Sequence, residues 1–463
     1  MVNKRESPLP KPGKDARCVR DQYGNEYRLS KEHLSKGGQG AVYTTDREDY
    51  IVKQPNVFVD GGVLGATKAE IDRNIQTWDN HFQNIRILPL PPRIQRVLTL
   101  PVAVLDGEPG YVMRMLTKMQ SFESLFELDG QTETRLRKKS PTLPAWMSKC
   151  PENAKWVYYH YAQSGASRAR LYALYRCAAA LARLHAAGIV YGDISPKNAF
   201  ISDRIPGDFS LIDADNIRLE GDSGSNTYTP GYGAPELVSE TSGVNLKTDV
   251  WAFAVLAFKM LSLQHPFYGK QVYEYADSSN DFGGGEEQAH LGKFPYIDDT
   301  NDRSNAWVGP LPREWLFTHR ISRLFEETFC AGRTAPWRRP SMSLWAYELA
   351  RAFDDTLVCP HCGMGFYSEQ FDRCPYCDPV DSVSYFRLTK PGGRWHKVYQ
   401  VRGEKDEHIP VPRRLVQPFS VLSGDDTYTR LRVDLEGRRL RAIKGEEGAR
   451  SLKQEYMEAS HAV

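Results

Sequence analysis

Three oxygen-bearing side chains, Asp193, Asn198 and Asp213, stand close together within residues 191–213. One carboxylate can take the proton of a hydroxyl nucleophile while the amide and the second carboxylate hold magnesium against nucleotide phosphates. That is phosphoryl-transfer chemistry. It requires Asp193 and Asn198 on one short loop with Asp213 brought back beside them. The polar run after Ile201, followed by Phe209-Ser210-Leu211-Ile212-Asp213, predicts a tight hairpin that does this.

Phosphates also need a cation and close backbone amides. Gly37, Gly38 and Gly40 lie between two apolar runs, where the lack of side chains lets amides approach a phosphate; a plain hairpin turn is the other reading. Lys53 then ends the apolar run Tyr50-Ile51-Val52. A lone lysine at a strand end more commonly lays its stem along apolar surface, but its place after the glycine turn favours a phosphate role. Such a lysine needs an acidic partner. The helical pattern KAEIDRNIQTWDNHF offers Glu70, ahead of Ile71, Ile75 and Trp78 on one face, with Asp72 as the second candidate.

The stretch around Asp193 resembles the catalytic and metal-binding loops of eukaryotic-type protein kinases, whose patterns are H-R-D-x-x-x-x-N and D-F-G. Here they read Tyr191-Gly192-Asp193 with Asn198, and Asp213-Ala214-Asp215. Ala234-Pro235-Glu236 is similar to the end of that family's activation segment. Asp249 matches an aspartate that ties down the catalytic-loop backbone, and Arg339 matches the late arginine that pairs with Glu236. These last matches favour a peptide groove over a small-molecule kinase.

The resemblance covers about residues 27–354 and implies an α+β fold of two lobes, a β-rich N-lobe over 27–114 and a helical C-lobe over 117–354. Residues 128–165, with the basic run at 135–139, read as an insertion. ATP with Mg2+ or Mn2+ is the implied cofactor, with Asn198 and Asp213 on the metal, Lys53 on the phosphates and Glu70 on Lys53. Ser195 stands where protein-serine kinases carry a lysine, so Lys197 is the expected cation beside Asp193. The nucleotide is expected against Leu34, Gly37, Gly38, Gly40, Val42 and Ile51, and its adenine near Met113, Arg114, Leu116 and Phe200. Ser35 replaces the first loop glycine. Gly192 replaces an arginine that holds an activation-segment phosphate, which implies activity without phosphorylation there. The implied function is transfer of the γ-phosphoryl group to Ser or Thr of protein substrates, with autophosphorylation, in cytosolic signalling. A nucleotide-binding pseudokinase scaffold is the alternative.

At 463 residues the chain suits a kinase-sized unit plus an appendage. Hydrophobic content of 41%, charged content of 25% and a net charge of +2 describe a globular protein with no general pull toward nucleic acid or membrane. The first residues lack the apolar core of a signal peptide, and the apolar stretches 171–190 and 251–263 are interrupted by Arg or Lys. A cytoplasmic protein is expected. Residues 1–26 read as a flexible arm, and SSNDFGGGEE as a flexible loop.

Cys359, Cys362, Cys374 and Cys377 form two C-x-x-C units, which without an export signal read as Zn2+ ligands before disulfides. This defines a zinc ribbon over 357–380, followed by a β-rich docking tail over 381–463 with a hairpin about Glu436-Gly437. Phe366, Tyr367 and Phe371 suit inward packing or a protein partner, and a nucleic-acid partner is not favoured. Kinase plus ribbon resembles bacterial eukaryotic-type kinases grouped with von Willebrand-type domain proteins and phosphatases in tellurite-resistance-like systems. That resemblance implies such a protein and a cognate phosphatase as partners.

Overall fold

The computed structural model describes residues 9–13, 15–36, 40–55, 68–139, 142–222, 226, 228–279, 282–379, 382–423, 428–434, 436, 438–443 and 451–458. Its first part is built on strands. β1 (Cys18–Arg20) and β2 (Glu26–Arg28) form a hairpin. β3 (Ser35–Lys36), β4 (Gly40–Thr44), β5 (Tyr50–Pro55), β6 (Ala103–Val104) and β7 (Tyr111–Arg114) make an antiparallel sheet in the order β3-β4-β5-β7-β6. The β-branched and aromatic residues of β5 and β7 suit a sheet covered on both faces. One face carries Val52, Ala103 and Val112, covered by Val19, Tyr27 and Leu29. The other receives helix α1 (Lys68–Ile87), whose Phe82 meets Tyr111 edge-on at 4.5 Å.

From Cys18 on, the hairpin corrects the expectation of a flexible arm over residues 1–26; residues 1–8 and 14 of that arm lie outside the described residues. Val19 and Tyr27 are buried, and Asp21 closes the turn by accepting from Tyr23 N, Asn25 N and the Tyr27 hydroxyl. Strands this short bury one side chain each, too few to show an alternating pattern.

A helical body follows, centred on α2 (Ala166–Ala186) and α3 (Leu246–Ser262). The Ala- and Leu-rich α2 is buried around most of its circumference, so the helix passes through the core instead of lying on it. Asn245 starts α3 with a reciprocal capping box to Thr248. Two small sheets position the loops: β10 (Ala199–Ser202) between β8 (Met119–Ser121) and β11 (Phe209–Leu211), and β9 (Ile189–Val190) beside β12 (Arg218–Leu219). Among the described residues no helix is long and apolar enough to cross a membrane.

The stretch 128–165, expected as an insertion, holds one exposed and one packed helix. The basic helix Gly130–Lys139 has no buried residue, but helix Lys155–Gln163 buries Tyr158, His160 and Tyr161. SSNDFGGGEE is not a loop: its described residues belong to two helices, Lys270–Ser279 and Phe282–His290. A Cβ on Gly285 would lie 2.7 Å from the Val272 carbonyl oxygen, so glycine there allows the two helices to touch. Tertiary packing overrides the poor helix propensity of the glycines.

The body closes on α4 (Met342–Asp355), which continues into β13 (Thr356–Val358) paired with β14 (Gly365–Tyr367). Two three-stranded sheets complete the chain. β15 (Tyr385–Thr389), β16 (His396–Gln400) and β20 (Lys453–Met457) form one, and β17 (His408–Pro412), β18 (Tyr428–Asp434) and β19 (Arg439–Ala442) the other. β18 and β19 are the strands of the expected hairpin; Gly437 lies outside the described residues. Phe366, Tyr367 and Val398 belong to the same apolar core as α2 and α3, so the segment carrying the cysteines is continuous with the body.

Adjacent aspartates at the end of α4 hold this joint. The fully buried Asp354 accepts from Arg414 at 2.9 and 2.6 Å and from Trp395 Nε1 at 3.0 Å, with Lys397 at 3.3 Å. Asp355 meets His396 at 2.8 Å. Burial opposes the Asp354 charge, but Arg414 and Lys397 overcome it and lower its pKa. Its contribution is present above the ordinary aspartate value of 3.8 and is lost as the pH falls below it. Lys397 shows the opposite balance: burial, helped by the like charges of Arg168 and Arg414, outweighs Asp354 and pushes its pKa down to about 7. Asp354→Ala removes the carboxylate that the buried Arg414 grips with two hydrogen bonds and is expected to cost about 3–5 kcal/mol, read as a lower urea midpoint. An unchanged midpoint would show that the joint adds nothing.

Candidate active site

β10 and β11 form the hairpin that returns the chain, with Ala199 opposite Leu211, and Ile212 N donates to Asn198 O at 2.9 Å. Asp213 therefore follows directly beside Asn198. Within the loop, Asn198 Nδ2 donates to Asp193 Oδ2 and to the Asp193 carbonyl, both at 2.9 Å. Thr229 Oγ1 donates to Asp193 Oδ1 at 2.6 Å, so both carboxylate oxygens of Asp193 are oriented.

Buried side chains below set this loop. Asp249, at the start of α3, accepts from Tyr191 N at 2.8 Å and Gly192 N at 2.9 Å and meets His185 at 3.0 Å. The Tyr191 hydroxyl donates to the Ile212 carbonyl and so ties the loop to the segment before Asp213. Gly192 has a backbone reason of its own: its φ is +87°, and a Cβ would lie 3.1 Å from Asn216 O. Ser223, Ser225 and Thr227, the hydroxyls on which the phosphorylation expectation bears, lie outside the described residues.

Glu236 and the fully buried Arg339 form a two-pronged pair at 2.7 and 2.8 Å, anchoring the segment that leads from Thr229 into the body. Arg339→Ala is expected to destabilise the protein by about 3–5 kcal/mol, since it strands a largely buried carboxylate. Differential scanning calorimetry checks this, and a loss below about 1 kcal/mol, the scale of an exposed pair, would count against the anchor.

Lys53 is buried within β5 and donates to Asp213 Oδ1 and, at 2.7 Å, to Asp215 Oδ2. Sequence reasoning does not single out Asp215. Its other oxygen accepts from the Tyr111 hydroxyl at 2.7 Å, and its carbonyl oxygen meets His81 Nε2 of α1 at 2.8 Å. The signal that could have found it is a second acid, two residues after Asp213, where the family pattern has a glycine. The Glu70 side chain lies outside the described residues, as do Gly37 and Gly38. Asp72 is exposed.

Burial works against the Lys53 ammonium, but Asp215 and Asp213 outweigh it and raise its pKa. Asp213 is also raised, by burial first and by the nearby Asp215 and Asp193 charges, against the pull of Lys53. For a simple ion pair these two directions would disagree. They agree here first because Asp213 is buried, and also because one cation stands between two carboxylates, which leaves excess negative charge. A divalent cation on Asn198 and Asp213 would neutralise it, and the donor set of one amide and one carboxylate oxygen suits Mg2+, which keeps several waters.

Lys197 is exposed and lies 3.6 Å from Glu123, turned to a surface carboxylate. Gly40 has a packing role, since a Cβ there would collide with the Gln54 carbonyl on β5. Val42 stands opposite Lys53, and Ile51 opposite the buried Met113. Leu34 is on the rim with its amide on Val42 O; Arg114 is exposed, Leu116 half-buried, and Phe200 half-buried on β10. A cavity of about 530 Å³ lies elsewhere, among Arg320, Glu348, Arg351, Arg394 and Trp395, and shares no lining residue with this site.

Cys359, Cys362, Cys374 and Cys377 are buried, with all four sulfurs within 4.8 Å of one another. Cys359–Cys377 and Cys362–Cys374 are each 3.5 Å apart, close to the ~3.8 Å separation of thiolates around a tetrahedral zinc. Gly363, at φ +72°, turns the first knuckle. The four-cysteine group could hold a metal ion. Tyr376 of the second knuckle packs on Trp315 and Tyr158, and Tyr367 donates to the Leu316 carbonyl at 2.6 Å.

Comparison with known proteins gives a consistent class. Residues 154–289 match the family model described as Protein kinase domain. Serine/threonine-protein kinase DCLK1 of Rattus norvegicus is 36% identical over 99 residues, 21% of this chain and 23% of its own. Serine/threonine-protein kinase sck1 of Schizosaccharomyces pombe is 30% identical over 123 residues, 26% of this chain and 17% of its own. A cAMP-dependent protein kinase, catalytic subunit-like, of Caenorhabditis briggsae is 36% identical over 116 residues, 24% of this chain and 28% of its own. The matched region thus spans less than a third of each relative.

Proposed function

We propose that this chain is an ATP-dependent protein serine/threonine kinase. The observation that carries the reading is that two bonded pairs from three parts of the chain, Asn198–Asp193 and Lys53–Asp213, are set side by side by the Ile212 N to Asn198 O hydrogen bond. In this reading Asp193 takes the proton of a substrate hydroxyl as its oxygen attacks the γ-phosphorus, and ADP leaves. Asn198 and Asp213 hold Mg2+ or Mn2+, which neutralises charge on the phosphates. Lys53 faces the α- and β-phosphates. Leu34, Val42, Ile51, Met113, Arg114, Leu116 and Phe200 bracket the adenine end, while Lys197 must leave Glu123 to serve the phosphoryl group.

The wider reading is a two-lobed catalytic unit with a zinc ribbon and a β-rich docking tail, cytoplasmic and able to autophosphorylate. The same architecture supports bacterial eukaryotic-type kinases as its group, with a von Willebrand-type domain protein and a phosphatase as partners. Incubation of the full chain with radiolabelled ATP, Mg2+ and a generic protein substrate, followed by phosphoamino-acid analysis, tests the activity. Phosphoserine or phosphothreonine is expected. Label confined to phosphotyrosine, or no protein label, would overturn the proposal.

A further inference from the structure

We propose that Asp215 is the positioning residue that holds Lys53 for the nucleotide, in place of a carboxylate on the long helix α1. The inference rests on the phosphoryl-transfer reading of the site and goes beyond it by assigning the lysine's partner. Lys53 on β5 lies opposite Tyr111 on β7, so the two side chains share one face of the sheet. Each takes one oxygen of Asp215: Lys53 Nζ at 2.7 Å from Oδ2, and the Tyr111 hydroxyl at 2.7 Å from Oδ1. The carboxylate is bridged by adjacent sheet residues, and both of its oxygens are engaged.

The backbone of Asp215 is fixed as well. It sits in the single turn Ala214–Asn216 that directly follows Asp213, and its carbonyl oxygen meets His81 Nε2 at 2.8 Å. His81 and Phe82 are neighbours on α1, and Phe82 packs on the Tyr111 ring. Among the described residues the turn is thereby clamped between sheet and helix by Lys53, Tyr111 and His81.

Asp213 also accepts from Lys53, but it is the carboxylate that would hold a divalent ion. Asp215, bonded to Lys53, Tyr111 and His81, would remain to hold the lysine. The lysine is thus oriented by the turn next to the metal-binding aspartate, and metal loop and lysine form one unit. Its orientation then follows that loop more closely than the placement of α1.

A double-mutant cycle on the full chain tests this, with Asp215→Asn, Lys53→Met and the double variant compared for kcat, KM for ATP and affinity for a fluorescent ATP analogue. Asp215→Asn is expected to lower kcat/KM on the order of 10²-fold, as a misplaced catalytic group does. In the Lys53→Met background the same change is expected to have little further effect, because residues acting as a unit are not additive. Glu70→Gln is expected to cost less than Asp215→Asn. Independent, multiplying losses, or a larger loss at Glu70, overturn the assignment. Should Asp215→Asn fail to fold, Tyr111→Phe reads the same bridge, with a several-fold loss that vanishes in the Lys53→Met background. If the wild type transfers no phosphate, the kinase reading fails while analogue affinity still decides the Lys53–Asp215 link by the same cycle.

Discussion

Asp193→Asn is expected to lower the rate of phosphoryl transfer by about 10²–10⁴-fold while leaving nucleotide affinity within a few-fold of wild type. The replacement is nearly isosteric. It keeps an oxygen for the Thr229 hydroxyl at Oδ1, but it sets an amide NH2 against the Asn198 NH2 that now donates to Oδ2. The proton acceptor is removed, whereas Lys53 and Asp213, which face the phosphates and the metal in the proposed site, are untouched. Transition-state stabilisation is lost without loss of ground-state binding, so the effect falls on kcat. Initial rates of label transfer, measured beside displacement of a fluorescent nucleotide, separate the two. A variant within about tenfold of the wild-type rate would remove Asp193 from the role of base.

Stripping the metal from the four-cysteine group is expected to be the largest perturbation of stability. In small zinc-binding domains the apparent binding free energy is about 10–16 kcal/mol and is also folding free energy. Here the consequence extends beyond the knuckles. Tyr367 and Tyr376 are buried against the helical body through Leu316, Trp315 and Tyr158, and Cys359 and Cys374 are part of the main core. Treatment with a strong zinc chelator, or Cys362→Ser, should therefore lower the melting temperature of the whole chain, not of residues 357–380 alone. Elemental analysis should return one zinc per chain before treatment. A chain that carries no metal, or melts unchanged without it, would end the zinc assignment.

The short-range arrangements are legible in the amino-acid order itself. Asp193 and Asn198 are five positions apart on one loop, and the polar turn after Ile201 sends the chain back through Phe209, so local geometry brings Asp213 beside them. The paired cysteines are equally local, each pair made by one turn. Glu236 and Arg339 are distant in sequence and are legible only because the family pattern supplies both. Composition misleads where its signals are weak. Asp-, Asn- and Gly-rich 278–287 has turn residues, yet Gly285 serves a close helix contact. The N-terminal hairpin has too few apolar residues to announce itself, and its stability comes from Asp21 and the sheet it covers.

Amino-acid types and spacing alone determined which groups are available for chemistry: a base, metal-binding oxygens, a lysine and four thiols. Tertiary structure alone decided which partner each charged group takes. Lys53 and Asp215 are 162 positions apart, and Asp354 and Arg414 are 60 apart. Burial explains the difference: a charge removed from water must be matched by whatever opposite charge the packing brings within reach, and packing is a property of the whole chain.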